Sequence, residues 1–251
     1  MATFKSKMKF LDPNWADEIW ENARKINSGK GPEWLMGLAV LALTGARPAS
    51  LEKGISVQFV SDGQGNLFLE ARVPGSKIVE NEGKHIRGQK ETTLRWQVLP
   101  KEKRDVPPRS KEFDFILDAL PQKLDTPIKV TYNADSIGTS LRNLSKQIWP
   151  RRTRHVSPIC YRELFSSNAK AAGVSPVELA MAMGHLSSES QGKYAAKSKA
   201  SRGGAKKPTN VFSTVQATSK VRDHRAPMAR FKAANSLKTK LKQNSLSPKP
   251  H

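Results

Sequence analysis

Acidic residues are scarce in this chain: 22 Asp and Glu stand against 43 Lys and Arg, leaving a formal charge of +21. Such an excess argues for a polyanionic partner, with nucleic acid ahead of an acidic membrane surface. Cysteine is almost missing. The single Cys160 excludes an internal disulfide framework and a cysteine-rich zinc site. Long apolar runs are missing too. The longest, LMGLAVLAL at 35–43, has the length of a buried helix segment and falls well short of the roughly 20 residues that span a bilayer. The opening MATFKSKMKF carries positive charge with no apolar signal core behind it. No carboxylate cluster suggests a Mg²⁺ site and no glycine-rich loop suggests a nucleotide, so no cofactor is expected. The expectation is a cytoplasmic protein that associates with nucleic acid.

What is present is unevenly spread. From Ala195 onward there are 14 Lys or Arg and one acid, Asp223. Large apolar residues thin out there, and Ser, Lys, Pro and Gly dominate. That composition cannot offset the entropy of ordering. The chain therefore divides into a folded domain over 1–199 and a basic, largely disordered tail over 200–251.

Within the first part, helix signals are strong. DPNWADEIWENARK has Asp12 as cap and Pro13 in the first turn, with Trp15, Ile19 and Trp20 on one side. GPEWLMGLAVLALTG is apolar almost all round from Pro32 to its stop at Gly45, as a central helix would be. ISVQFV, LFLEARV and TTLRWQVL then read as antiparallel strands. The polar connection from PGSK to GQK reads as an extended, mobile loop. Helices resume with SKEFDFILDAL and ADSIGTSLRNLSKQIW. Two capped segments follow, one from Ser157 and Pro158 to Gly173, the other from Ser175 and Pro176 through Glu178 to Gly184. A last short helix is expected to contain Tyr194. The fold class is α+β, mostly helical with a small antiparallel sheet.

Four polar side chains stand out against this frame. Arg47 follows the glycine that ends the apolar helix. Arg162 lies in a capped helix beside Ile159, Leu164 and Phe165, where a charge must be paired or face a cleft. His185 follows Gly184, and Tyr194, one of three tyrosines, lies nine residues beyond it. Taken singly, each has an ordinary explanation: a helix cap, an ion pair to Glu163 or Glu178, a turn histidine, a surface tyrosine.

Taken together, TGAR, ICYR and GHLSSESQGKY resemble the catalytic domain of the tyrosine recombinase family, the phage-integrase type of site-specific DNA recombinase, over about residues 13 to 200. That family has an arginine after a TG-x-R turn, a second in an H-x-x-R helix, a GH turn, and a tyrosine nine residues past its histidine. The resemblance assigns Arg47, Arg162, His185 and Tyr194 to the site. It adds a lysine from a β-hairpin between the arginines; Lys77 is the choice, with Lys84 and Lys90 as alternatives. The family's helix histidine is Ile159 here, and its acidic residue three past the first arginine is Ser50. Family members usually carry a DNA-clamping domain of roughly 100 residues before the catalytic one. With about 45 residues before Arg47, the chain reads as a compact variant or a catalytic fragment.

The residues suit metal-free phosphodiester transfer. A tyrosine hydroxyl attacking a DNA phosphate splits one hard step into two and keeps the bond energy in a phosphotyrosine. Two arginine forks and an imidazole donor would stabilise charge building on the phosphate oxygens, and a lysine ammonium would protonate the leaving oxygen. The resemblance implies a 3′-phosphotyrosyl link and a homo-tetramer on double-stranded DNA. The basic tail would add salt-sensitive affinity. The alternative is a degenerate relative that binds DNA without cutting it, a reading motivated by Ile159 and Ser50. A type IB topoisomerase shares the chemistry but not the histidine-to-tyrosine spacing. A ribosome-associated protein would account for the charge but not for the ordered set.

Overall fold

The apolar helix GPEWLMGLAVLALT becomes the centre of the molecule, as its uniform hydrophobicity demands. It is α2 (Gly31–Thr44), with Leu38, Ala39 and Leu41 fully buried. Against it pack α4 (Lys111–Ala119), α5 (Ala134–Ile148) and α6 (Pro158–Ala171), and α1 (Trp15–Lys25) packs on α4 and α5. The short α3 (Pro48–Lys53) and α7 (Pro176–Ala182) complete the helices seen in the computed structural model, which describes residues 11–25, 31–81, 84–99, 110–194, 196–200 and 211–224. The fold is α+β. No helix among these residues is long and apolar enough to cross a membrane.

The sheet is antiparallel with strand order β6-β1-β2-β5-β7, its edges being β6 (Ile128–Val130) and β7 (Thr214–Ala217). Its central strands are the three read from the sequence: β1 (Ile55–Ser61), β2 (Leu67–Pro74) and β5 (Glu91–Gln97). Val57 pairs with Ala71, and Ala71 with Leu94, so one buried row crosses all three strands. Helix α7 packs on β5 and β7, and α3 packs on β2. The end of α7 and the start of α3 are thereby held at the seam between helices and sheet.

Capping decides where the helices start. Ser175 and Glu178 form the reciprocal capping box expected of α7. Ser110 and Asn133 cap α4 and α5 through their side chains. Ser157 sits at the N-cap of α6 without a side-chain cap bond, and its hydroxyl lies 3.7 Å from the Cys160 sulfur.

Three expectations are corrected. The connection between β2 and β5 is not a plain extended loop. It folds back as a second hairpin, β3 (Val79–Asn81) with β4 (Lys84–Arg87), and a register shift between Val79 and Glu80. Its base is closed by glycines: a Cβ on Gly75 would sit 1.9 Å from the Gln89 carbonyl oxygen, and one on Gly88 would sit 2.2 Å from that of Lys77. Second, part of the stretch after 199, expected to be largely disordered, is built into the sheet. Thr214–Ala217 form β7, which adds to β5, and Phe212 is buried with its ring stacked on Phe165 at 5.8 Å. VFSTVQA is a β-prone island whose apolar residues are diluted by basic flanks in any average over the tail. The rest of the segment assigned to a disordered tail, 201–210 and 225–251, lies outside the described residues. Third, Tyr194 is not inside a helix. It follows a 3-10 turn, Ser188–Lys193, with extended backbone.

Candidate functional site

Arg47 is aimed by the way α2 ends. Gly45 closes the helix at φ +60, where a Cβ would lie 2.7 Å from Phe165. The chain then turns through Ala46 into extended Arg47, the N-cap of α3, and Pro48 starts the next helix. The arginine thus emerges from a junction between two packed helices and is half-buried.

Arg162, in α6, is 3% exposed, and its surroundings show how a cation survives there. One terminal nitrogen donates to the Gly45 carbonyl at 2.8 Å and the other to the Met183 carbonyl at 2.5 Å. These carbonyls close the C-terminal ends of α2 and α7, where helix dipoles favour positive charge. Glu178, one ion partner considered from the sequence, accepts instead from the Ser175 main chain.

His185 is placed by a Schellman turn at the end of α7. Gly184 takes φ +67, its N–H donates to Met181, and the N–H of His185 donates to Ala180 at 2.8 Å. The following 3-10 turn brings Tyr194 back over the imidazole, ring on ring at 5.5 Å and 23°. Lys170 of α6 pins this turn by donating to the Gln191 and Tyr194 carbonyls at 2.9 and 3.4 Å.

The four side chains converge on one point. The Arg162 Nε donates to the Tyr194 hydroxyl at 3.1 Å. The His185 Nε2 lies 3.3 Å from that hydroxyl, 3.1 Å from an Arg162 terminal nitrogen and 3.4 Å from one of Arg47. Guanidinium groups only donate, so Nε2 is the acceptor and the imidazole proton resides on Nδ1. The Gln191 amide is 3.0 Å from Nδ1 through its nitrogen, while its buried oxygen has no partner. Turning that amide over places the oxygen against Nδ1–H and agrees with the arginine contacts.

The electrostatics follow. Burial, then the nearby Arg162 charge, lower the Arg47 pKa to about 10. Burial raises the pKa of the Tyr194 hydroxyl, but the charge and hydrogen bond of Arg162, with those of Arg47, outweigh it and leave the group below its ordinary value. Two guanidiniums beside one phenol favour an anion at this point.

A cleft of about 730 Å³ opens onto the cluster and is lined by Arg47, Lys77, Arg87, Ile159, His185 and Tyr194, with Asp135 and Glu163 as its acidic members. The exposed Lys77 forms part of the wall. Lys90 is exposed outside that wall, and the side chain of Lys84 lies outside the described residues. Ile159 lies one turn before Arg162 and offers the cleft only hydrocarbon. Ser50 is buried in α3. Among the described residues no group of three His, Cys, Asp or Glu side chains is arranged to hold a metal.

Gln191, Gln89 and Arg87 were not foreseen. Gln191, six residues past His185, carries a positional hint, since the turn that returns Tyr194 must also pass the imidazole. Gln89 and Arg87 carry none, because their positions depend on the β3–β4 hairpin.

In comparisons with known proteins, the chain matches no family model, no curated protein and no solved structure.

Proposed function

We propose that the protein is a tyrosine recombinase-like DNA strand transferase, an integrase-type enzyme that cuts and rejoins double-stranded DNA through a phosphotyrosine and acts as a homo-tetramer on DNA. The observation that carries this reading is the convergence of the Tyr194 hydroxyl, the His185 Nε2 and the Arg162 guanidinium within 3.3 Å, with Arg47 at 3.4 Å from the same imidazole nitrogen.

The Tyr194 oxygen attacks phosphorus as its proton passes to His185 Nε2. The imidazole, now protonated on that nitrogen, faces the phosphoryl oxygens as a donor. Arg47 and Arg162 hold the same oxygens while charge builds on them. The P–O bond to the departing 5′ oxygen breaks, and Lys77 supplies its proton. The phosphate remains on the tyrosine as the 3′ ester. Attack by a 5′ hydroxyl reverses each transfer and restores the phenol, so no external energy source is required.

A second reading is a relative that binds DNA without cutting it. It is favoured by Ile159, whose hydrocarbon lines the cleft where the family's histidine would offer a donor. Both readings are tested by incubating the protein, without metal, with a pool of nicked duplexes of randomised sequence and resolving products on a denaturing gel. A protein–DNA adduct lost in Tyr194→Phe is the expected result. Tight binding with no adduct, and an adduct gained in Ile159→His, would select the second reading.

A further inference from the structure

Gln89, on the link between β4 and β5, is 1% exposed, and its amide is used in full. Its nitrogen donates to the main-chain carbonyl of His185 at 3.1 Å and to that of Ser219 at 2.8 Å. Its oxygen accepts from the Ser219 N–H at 2.7 Å and from the Thr218 hydroxyl at 3.2 Å. The N–H of its own main chain donates to the Gly184 carbonyl at 3.1 Å. One side chain therefore fastens three segments that are far apart in sequence: the hairpin base, the turn that carries His185, and the chain just beyond β7.

Two neighbouring features extend the connection. Past Ser219 the chain exchanges main-chain bonds with the far side of the same turn: Arg222 donates to Leu186 at 2.9 Å and accepts from Ser188 at 3.1 Å. On the other side, Gly75 and Gly88 bring the Lys77 turn against Gln89 so closely that neither position has room for a Cβ. Gln89 touches none of the atoms assigned to the reaction. Its side-chain amide reaches His185 through the main-chain carbonyl, and its own carbonyl faces Gly75 at the start of the turn that carries Lys77.

We propose that Gln89 is a positioning residue that couples docking of the β7 segment to the placement of His185. With Thr218 and Ser219 seated, the His185 carbonyl is held and the imidazole stays under Tyr194. With them unseated, the amide loses three of its four hydrogen bonds, and the one left, to the His185 carbonyl, is no longer held in place by the others. Misplacing a reacting group by about 1 Å is enough to cost roughly a hundredfold in rate. The inference rests on the strand-transfer reading for its rate measurement but not for its structural one.

The test uses full-length protein and two variants. Gln89→Leu removes all four amide bonds at similar volume, and Thr218→Val removes one of them, with the acceptor of the Lys90 and Glu91 N–H groups, while leaving the glutamine in place. Two quantities are read: the ¹⁵N signals of the His185 ring in DNA-free protein, and the rate of adduct formation against DNA affinity with the nicked duplex pool. The expected result is that His185 ring signals shift or broaden in both folded variants. The adduct rate at saturating DNA falls at least about tenfold in Gln89→Leu and less in Thr218→Val, with DNA affinity within about twofold of wild type. Should Gln89→Leu fail to fold, Thr218→Val alone decides by the same readouts. Unchanged ring signals in a folded variant would overturn the proposal, as would a rate loss matched by an equal loss of affinity. If wild-type protein forms no adduct, the strand-transfer reading fails and the ring signals alone decide the coupling.

Discussion

The Arg162 guanidinium donates to the Tyr194 hydroxyl at 3.1 Å with its Nε and holds the Gly45 and Met183 carbonyls with its terminal nitrogens. The residue that would clamp a phosphate therefore also joins the ends of α2 and α7. Arg162→Ala should lower stability by about 2–4 kcal/mol, because buried carbonyls lose their donors. Arg162→Lys keeps the charge but cannot reproduce the fork, so it should recover part of the stability and little of the adduct formation. Denaturant unfolding beside the adduct assay separates the two effects. Equal recovery of both by lysine would contradict the forked role.

The three tyrosines should ionise in a defined order. Burial raises Tyr161 well above its ordinary value, and burial with Glu33 raises Tyr132. Tyr194 alone is lowered, because Arg162 and Arg47 outweigh its burial. Titration of tyrosinate absorbance should therefore show one phenol leaving first, and Tyr194→Phe should remove that step. Arg47→Gln should move it to higher pH. A first step that survives Tyr194→Phe would show that the arginines do not control this phenol.

Gln191 should set the tautomer of His185. With its amide oxygen on Nδ1–H, Nε2 is left as the acceptor facing Tyr194. Gln191→Leu removes that preference and should reduce adduct formation by up to about a hundredfold, the low end of a lost general-base contribution. Gln191→Glu retains an acceptor at the same place and should keep most of the activity. The ¹⁵N ring signals report the tautomer directly. A wild-type pattern in Gln191→Leu would assign the preference to another contact.

The parts of this molecule that were legible in the sequence are those written in adjacent residues. Ser175 and Glu178 announce their capping box within four positions, and Gly45 and Gly184 mark helix ends because those ends need positive φ. Three strands and the helical core followed from periodicity. What was not legible depends on partners far along the chain. Strand β6 (Ile128–Val130) is three residues that become a strand by pairing with β1. Strand β7 was hidden by basic flanks and is stabilised by pairing with β5. Gln89 is one polar residue in a polar connection until the hairpin folds and Ser219 arrives, 130 positions later.

Gly45 should tolerate no side chain. Its φ is +60, and a Cβ would meet the Phe165 ring carbon at 2.7 Å. Both faults lie beside the carbonyl that Arg162 holds. Gly45→Ala should cost about 2–3 kcal/mol from backbone strain and displaced packing. It should also reduce adduct formation, because the junction aiming Arg47 is the same turn. Denaturant unfolding checks the first expectation. A stability within about 0.5 kcal/mol of wild type, the usual range for a harmless surface change, would show that α2 can end differently.

Glu112 gives the fold a pH dependence separate from the candidate site. It is 3% exposed in α4, and burial raises its carboxyl pKa from 4.5 to about 7, with Asp17 adding in the same direction and Lys111 opposing. The folded protein therefore binds this proton more tightly than the unfolded chain does. The contribution is fully present below the unfolded value and is lost as pH rises through about 7. The most it can supply is about 3 kcal/mol. Stability should thus decline between pH 4.5 and about 7 by an amount that Glu112→Gln abolishes, since the amide stays neutral throughout. Denaturant midpoints across that range, with wild type and variant side by side, measure it. Parallel pH profiles would place the titrating group elsewhere in the fold.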